Sequence, residues 1–437
     1  MLPSRKVAGL LFADDVVLIA DSPHQLHEAM RVMDEHARKW RYTFNASKCA
    51  VVCMGRRDPT QEKWTIQWQP VAETRSYRYL GVEIEAMGHW KQWHDARLAK
   101  GKRCLPTMWW CGARQGALAH ATANKLMELI LWPSMSYGGE VAKVGVKQAA
   151  AIETVQNAAG RRILGTNRRT PIAMMRGDLG WHSLDSRRVQ AHLGFFHRLQ
   201  TMQPGRLARD LFVDRFESTA ARNAHNQHRR KPQPIYGFCS TLLDTLREYE
   251  LLPHFAASST LSKHQWKGVV DAAVSAHGEN QWTRTMWEHD SDSMSLYRRM
   301  KTSWGEEPYL TTMSSSAARR YMAQMRTSTA PLQALLHHHG LTHSQLCPHC
   351  DLQLPEDQAH LLCVCPAFAT QRDALVASTL PEWQRTMESQ WDTAPADDRA
   401  IWLLSCPAVC EAVGRYLTAV FSIKRQAGHT VRGAPLR

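Results

Sequence analysis

Apolar and polar positions follow two periods along this chain, and the point where the period changes divides it. Two short apolar runs, Val7-Ala8-Gly9-Leu10-Leu11-Phe12 and Val16-Val17-Leu18-Ile19-Ala20, flank Ala13-Asp14-Asp15. Their length and β-branched content are those of buried strands, with the acids where a hairpin turns. Ser22-Pro23-His24-Gln25 follows, placing a capping residue, a first-turn proline and a glutamine in capping-box order. Leu26, Met30, Met33, Ala37 and Trp40 then share one face of an amphipathic helix. Cys49 to Met54 reads as a strand, and Ser76 to Ile84 as another interrupted by Gly81.

From about residue 90 the period lengthens to that of a helix. Leu118 to Met135 is helical, as is Val146 to Gly165, where Ile152, Val155, Ala159 and Ile163 share a face and Gly165 is the stop. Ser183 or Asp185 caps a third helix carrying Val189, Leu193, Phe196 and Leu199. Arg222 to Pro234 lacks periodicity and reads as a linker or mobile basic loop. Helical patterning resumes from Ile235 to Leu341, with Trp266, Trp282, Trp287 and Trp304 as core fillers and His337 to His339 at a helix end or loop. The tail reads as amphipathic helices without an endonuclease constellation, and Cys406 and Cys410 are packing residues in one apolar helix.

Composition bounds the partners. A chain of 437 residues supports several domains with sizeable cores. Lys and Arg total 54 against 40 acids, a net +14, so a polyanion is a natural partner, although a merely soluble basic protein has the same balance. Eleven irregularly spaced cysteines suit reduced intracellular thiols and a metal site better than a disulfide framework. No uninterrupted apolar stretch reaches spanning length, so no membrane partner is expected. Asp14 and Asp15 cut the first apolar run before a cleavage site forms, which excludes a signal peptide.

Two constellations carry chemistry. Asp14 and Asp15 repel each other and resist desolvation unless divalent cations neutralise them. Near the other end, Cys347 and Cys350 precede His360 and Cys365 in a C-x2-C-x9-H-x4-C spacing that closes a tetrahedron around Zn²⁺. Cys363 competes with Cys365 for the fourth place. Arg161, Arg162, Arg168 and Arg169 cluster at a helix end, where they either complement the helix dipole or track phosphates.

The order of acid hairpin, helix, Asn45-Ala46-Ser47-Lys48 and Tyr79-Leu80-Gly81 resembles the second half of the palm of a non-LTR (LINE-like) retrotransposon reverse transcriptase. The resemblance extends to Pro133 through Tyr137-Gly138, to the tract from Ala317 to Thr327, and to the cysteine motif, where Glu356 and Pro366 fill the flanking positions of a CCHC knuckle and favour Cys365. It implies Asp14 and Asp15 as ligands of catalytic Mg²⁺, Lys48 as the group that protonates departing pyrophosphate, and Tyr79, Leu80 and Gly81 as the primer grip. It also gives Arg161, Arg162, Arg168 and Arg169 a nucleic-acid role on a thumb helix. The implied fold is α+β: a truncated palm of hairpin, helix and strands over 1–88, a helical thumb-like region over 89–215, a basic linker over 216–235, a helical connector over 236–340, a zinc knuckle over 341–370 and a helical tail over 371–437. Partners are an RNA template and a DNA primer or target, in an intracellular and nuclear setting. Only 13 residues precede Asp14, so the fingers, the first palm half and its metal-binding aspartate have no counterpart. The chain alone is therefore expected to be inactive, with dNTP bound only if that half is supplied. The alternative is a non-catalytic, zinc-dependent nucleic-acid-binding protein, a domesticated or decayed retroelement remnant. Zinc serves there either to read nucleic acid or only to staple a small fold.

Overall fold

The first two apolar runs pair as an antiparallel hairpin, β1 (Gly9–Phe12) and β2 (Asp15–Leu18), with Gly9 opposite Leu18 and Phe12 opposite Asp15. The structure is a computed structural model that describes residues 7–55, 60, 62–110, 118–227, 237–288 and 294–427. The strands are less buried than their composition predicts. Leu11 and Phe12 are 77% and 63% exposed, because among the described residues this sheet has two strands. Helix α1 (Pro23–Trp40) starts as expected: Ser22 Oγ accepts from Gln25 N, and Gln25 Oε1 accepts from Asp21 N. Met30 and Ala37 are buried, and Met30 joins Ala46, Trp64, Ile66 and Val71 in a small core. Trp40 departs from that face and is exposed, since the chain leaves the helix at Arg41 in the left-handed region, φ 57°.

Strand β3 (Ala50–Val51) lies parallel to β5 (Gln69–Glu73), which pairs antiparallel with β4 (Trp64–Ile66). The tract from Ser76 to Ile84 is a hairpin rather than one interrupted strand, β6 (Ser76–Tyr79) and β7 (Val82–Glu85). Leu80 (φ 47°) and Gly81 (φ 78°) form its turn. Two consecutive positive φ values match strand twist, and a residue followed by glycine is the signature of that turn.

The rest is helical: α2 (Lys91–Trp110), α3 (His120–Leu126), a π-turn at Met127–Leu131, α4 (Trp132–Ser136), α5 (Val146–Leu164), α6 (Ile172–Leu179) and α7 (Leu184–Thr201). Next come α8 (Leu207–Gln227), α9 (Phe238–Glu248), α10 (Lys263–Glu288), α11 (Ser295–Met300), α12 (Tyr309–Thr312) and α13 (Ser316–Arg326). The last are α14 (Gln333–His338), α15 (Ala369–Thr386), α16 (Ala396–Ser405) and α17 (Cys410–Gln426). Helix α8 runs through 216–227 of the expected basic linker, and its remainder, 228–235, lies outside the described residues. Ser183, not Asp185, caps α7 by accepting from Ser186 N. Pro407 breaks the helix expected to hold both Cys406 and Cys410, so α16 ends before the first and α17 starts at the second. Trp266 and Trp282 are buried as predicted, whereas Trp287 is exposed. No single helix among the described residues is long and apolar enough to cross a membrane.

The chain divides into two compact units. One comprises Met1–Arg97, Val141–Gly145 and Phe196–Asp244; the other comprises Leu98–Glu140, Val146–Phe195 and Thr245–Arg437. In the second unit one apolar core joins Ile152, Val155, Ala159 and Ile163 of α5 to Trp282, Met322, Cys365, Trp383 and Phe421. Through it runs a buried ionic network. The Arg326 guanidinium donates to both carboxylate oxygens of Asp178 (3.1 and 3.2 Å) and to Leu404 O (2.6 Å), and Tyr297 and Tyr309 donate their hydroxyls to the same carboxylate. Glu307 lies 2.8 Å from Arg326 and accepts from Lys301 Nζ.

Replacing Arg326 by Met leaves Asp178 buried and charged, which costs about 3–5 kcal/mol. Urea unfolding of R326M should show a midpoint lowered accordingly, and an unchanged midpoint refutes the assignment. His192 supplies a pH dependence. Burial holds its pKa down at about 4, and its Nδ1 lies 2.7 Å from Glu140 O. The neutral ring is the folded form, so this contribution is complete above the unfolded pKa near 6.5 and is lost as pH falls towards 4. The fall in the unfolding midpoint between pH 7 and 5 should be smaller in H192Q.

Candidate metal and nucleic-acid sites

In the first unit the geometry of the acid hairpin follows from its register. Asp15 ends the ladder opposite Phe12, and Asp14 occupies the turn beside Ala13, itself at φ 52°. Both aspartates are exposed, and among the described residues no third carboxylate, histidine or cysteine gathers with them into a metal-binding group. Asn45 caps the 3-10 turn Ala46–Lys48 by accepting from Ser47 N at 3.2 Å. This sets the carbonyl of Lys48 to accept from Tyr77 Oη at 2.5 Å. Burial, then Cys49, then the charge of Asp15 raise the Tyr77 pKa, so the acid hairpin, the Lys48 turn and the β6–β7 hairpin are electrostatic neighbours. Among the described residues the two hairpins are nevertheless separate two-stranded sheets, and the Lys48 turn leads into a third, instead of all sharing one continuous sheet. Lys48 is exposed, Tyr79 is half-buried, and Leu80 and Gly81 form the turn, with Gly81 O accepting from Arg97 at 3.4 Å.

The four-residue cluster in the second unit is more tightly built. A bridge between Leu346 and Pro355 and a hydrogen bond from Cys347 N to Leu354 O close the loop that carries Cys347 and Cys350. Asp357 Oδ1 accepts from His360 N at 2.8 Å at the entry to a π-turn, and Cys365 N donates to His360 O, also at 2.8 Å. The donor atoms of Cys347, Cys350, His360 and Cys365 all lie within 4.8 Å of one another, with 3.8 Å between the sulfurs of Cys347 and Cys365 and 3.4 Å from Cys350 Sγ to His360 Nε2. Cys365 belongs to the group and Cys363 stands outside it.

Burial pushes the Cys347 thiol up to about 12 and raises Cys365, while it lowers His360. Desolvation thus favours neutral thiols and a neutral imidazole; a soft divalent cation reverses the preference at sulfur and accepts the imidazole as it stands. Two further groups support the cluster. Glu356, fully buried, accepts from Lys424 Nζ (2.5 Å) and Gln333 N (2.9 Å), and the His349 ring packs on Phe368 at 5.5 Å. Glu356 is legible from the motif's flanking pattern, whereas the His349–Phe368 packing carries no local signature.

Of the four arginines Arg161 is half-buried, and Arg162, Arg168 and Arg169 are exposed. Arg161 donates through Nε to Thr170 O at 2.9 Å, and Arg162 lies over Trp109 at 5.1 Å. Arg168 and Arg169 are exposed in the loop beyond Gly165, whose φ of 70° ends α5 as expected. Arg187 is packed 3.3 Å over Trp132 and Arg188 pairs with Asp185 at 2.7 Å, so both are structural.

A turn-borne acid pair followed by a capped helix and short strands is the kind of segment that polymerase palms contain. Residues 2–84 match the family model for reverse transcriptase (RNA-dependent DNA polymerase). No curated protein matches the chain.

The cluster geometry gives a direct expectation for metal uptake. Titration with Zn²⁺ against a chromophoric chelator should give one tight site in the parent chain and in C363S, and none in C365S. Equal losses in the two serine variants refute the ligand set.

Proposed function

We propose that this chain supplies the second palm half, the helical thumb and the zinc-bearing region of an RNA-directed DNA polymerase of the non-LTR retrotransposon type. The observation that carries this reading is the match over residues 2–84, with Asp14 and Asp15 at the hairpin turn and the Lys48 and Tyr77 segments beside them. In the parent reaction a primer 3′ hydroxyl attacks the α-phosphorus of a deoxynucleoside triphosphate, and pyrophosphate leaves. Two Mg²⁺ ions would stabilise the attacking and leaving oxygens. Asp14 and Asp15 would hold them in part, and Lys48 would protonate the leaving pyrophosphate. Two adjacent aspartates are too few donors for a two-metal site, and the described residues contribute no third. A further oxygen ligand must therefore come from elsewhere in the working enzyme.

The Cys₃His set fits Zn²⁺ by donor type and compactness. Burial of Cys347, His360 and Cys365, with the Glu356–Lys424 pair alongside, favours a staple that fixes the helical unit over a knuckle that reads bases. The second reading, a non-catalytic nucleic-acid-binding protein, draws its support from the incomplete acid site and the net charge of +14.

Purified chain with primer–template, dNTPs and Mg²⁺ should bind the duplex with affinity that falls steeply as salt rises, and should incorporate no nucleotide. Robust extension refutes the incomplete-site argument; absence of salt-sensitive binding refutes a nucleic-acid role altogether. Removing zinc should lower the unfolding temperature more than the affinity.

A further inference from the structure

Trp68 is 95% exposed, and its backbone sits where an aromatic residue is costly. The β4–β5 turn consists of Gln67 (φ 47°) and Trp68 (φ 65°), two successive left-handed residues in a position that favours asparagine and glycine. Gln67 has a structural reason to be there. Its N–H donates to Asp34 Oδ1 at 2.9 Å, its Nε2 donates to Tyr42 O at 3.0 Å, and its Oε1 accepts from Phe44 N at 2.7 Å. Trp68 has none: its indole makes no hydrogen bond or ring contact among the described residues. Strained backbone positions cluster at binding sites, where the strain serves the presentation of a side chain.

Gln67 fastens this turn to the end of α1, where the sequence reads Arg38-Lys39-Trp40-Arg41-Tyr42. Trp40 is 64% exposed with Lys39 Nζ 5.7 Å from its ring, and the Tyr42 hydroxyl lies 3.0 Å from His36 Nδ1. Arg38, Lys39 and Arg41 are exposed and form no ion pair among the described residues. The acids nearby are already engaged, Asp34 by Gln67 and Glu35 by Arg31. Flat rings among uncompensated cations complement a strand that carries both bases and phosphates.

We propose that the β4–β5 turn and the end of α1 form a binding surface for single-stranded nucleic acid, with Trp68 and Trp40 stacking on bases and Arg38, Lys39 and Arg41 meeting phosphates. This rests on the reading above that the chain handles nucleic acid, but it assigns a surface remote in kind from the acid hairpin. It asks nothing of Mg²⁺ or of catalysis.

Fluorescence anisotropy with a thymidine homopolymer and with an abasic strand of equal length tests the stacking directly. The parent chain should prefer the strand with bases about tenfold, equivalent to about 1.4 kcal/mol. W68G should lose that preference while its unfolding temperature stays level or rises, because glycine suits a positive φ. W68A should lose the preference too. The combined R38A, K39A and R41A variant should weaken binding to both strands and flatten the salt dependence. If W68G and W68A bind both strands within twofold of the parent, the surface assignment falls while the wider nucleic-acid reading stands, and an exposed protein-docking turn becomes the better account. If the parent binds neither strand, both fall together.

Discussion

An arginine with no exposed surface is tolerable only where its charge is matched on every side, and Arg326 meets that condition. Burial alone would strip its proton more easily, but Asp178 and Glu307 reverse the effect and hold the guanidinium firmly charged. The same carboxylate takes hydroxyl donations from Tyr297 and Tyr309, whose own ionisation burial and Asp178 push far out of reach. One acid therefore ties α6, α11, α12 and α13 together, and the contact to Leu404 brings in α16. Such a network contributes less to net stability than an apolar replacement of the same shape, but it penalises any arrangement that separates its members.

The network reaches the metal-type cluster through the end of α13. Gln358 donates to Ser328 Oγ at 3.1 Å just past that helix, two positions before His360. On another side, Lys424 of α17 is buried against Glu356, and Tyr416 donates its hydroxyl to Leu361 O. The Cys₃His group is thus set within the main core of its unit. The amino-terminal unit contrasts with this. Its three sheets have two or three strands each and enclose a few apolar side chains, and its acid pair faces solvent. On the proposed function, that openness would suit carboxylates that receive ions and a polyanion, and the enclosure of the thiols would suit one gripped ion.

What the sequence revealed depended on how local each signal was. The hairpin register around Asp14, the Ser22 cap, the stop at Gly165 and the Cys347–Cys365 motif all follow from neighbouring residues, and they are all present. Burial is not legible where it depends on what lies across the sheet, as for Leu11 and Phe12, or on where a helix releases its chain, as for Trp40. Tyr79-Leu80-Gly81 has strand composition, but a residue–glycine pair between alternating positions is itself a turn signal, and Pro407 likewise marks a helix break. Partners separated by more than a hundred residues, such as Asp178 and Arg326, have no sequence signature in a single chain.

The bare outer edge of β1 has a practical consequence for anyone handling this molecule. Leu10, Leu11 and Phe12 offer greasy side chains beside backbone groups that no third strand among the described residues occupies. Such an edge is a template for zippering onto the same strand of a neighbouring molecule. Concentrated samples should therefore cluster through this hairpin, and a lysine placed at Leu11 should keep them dispersed.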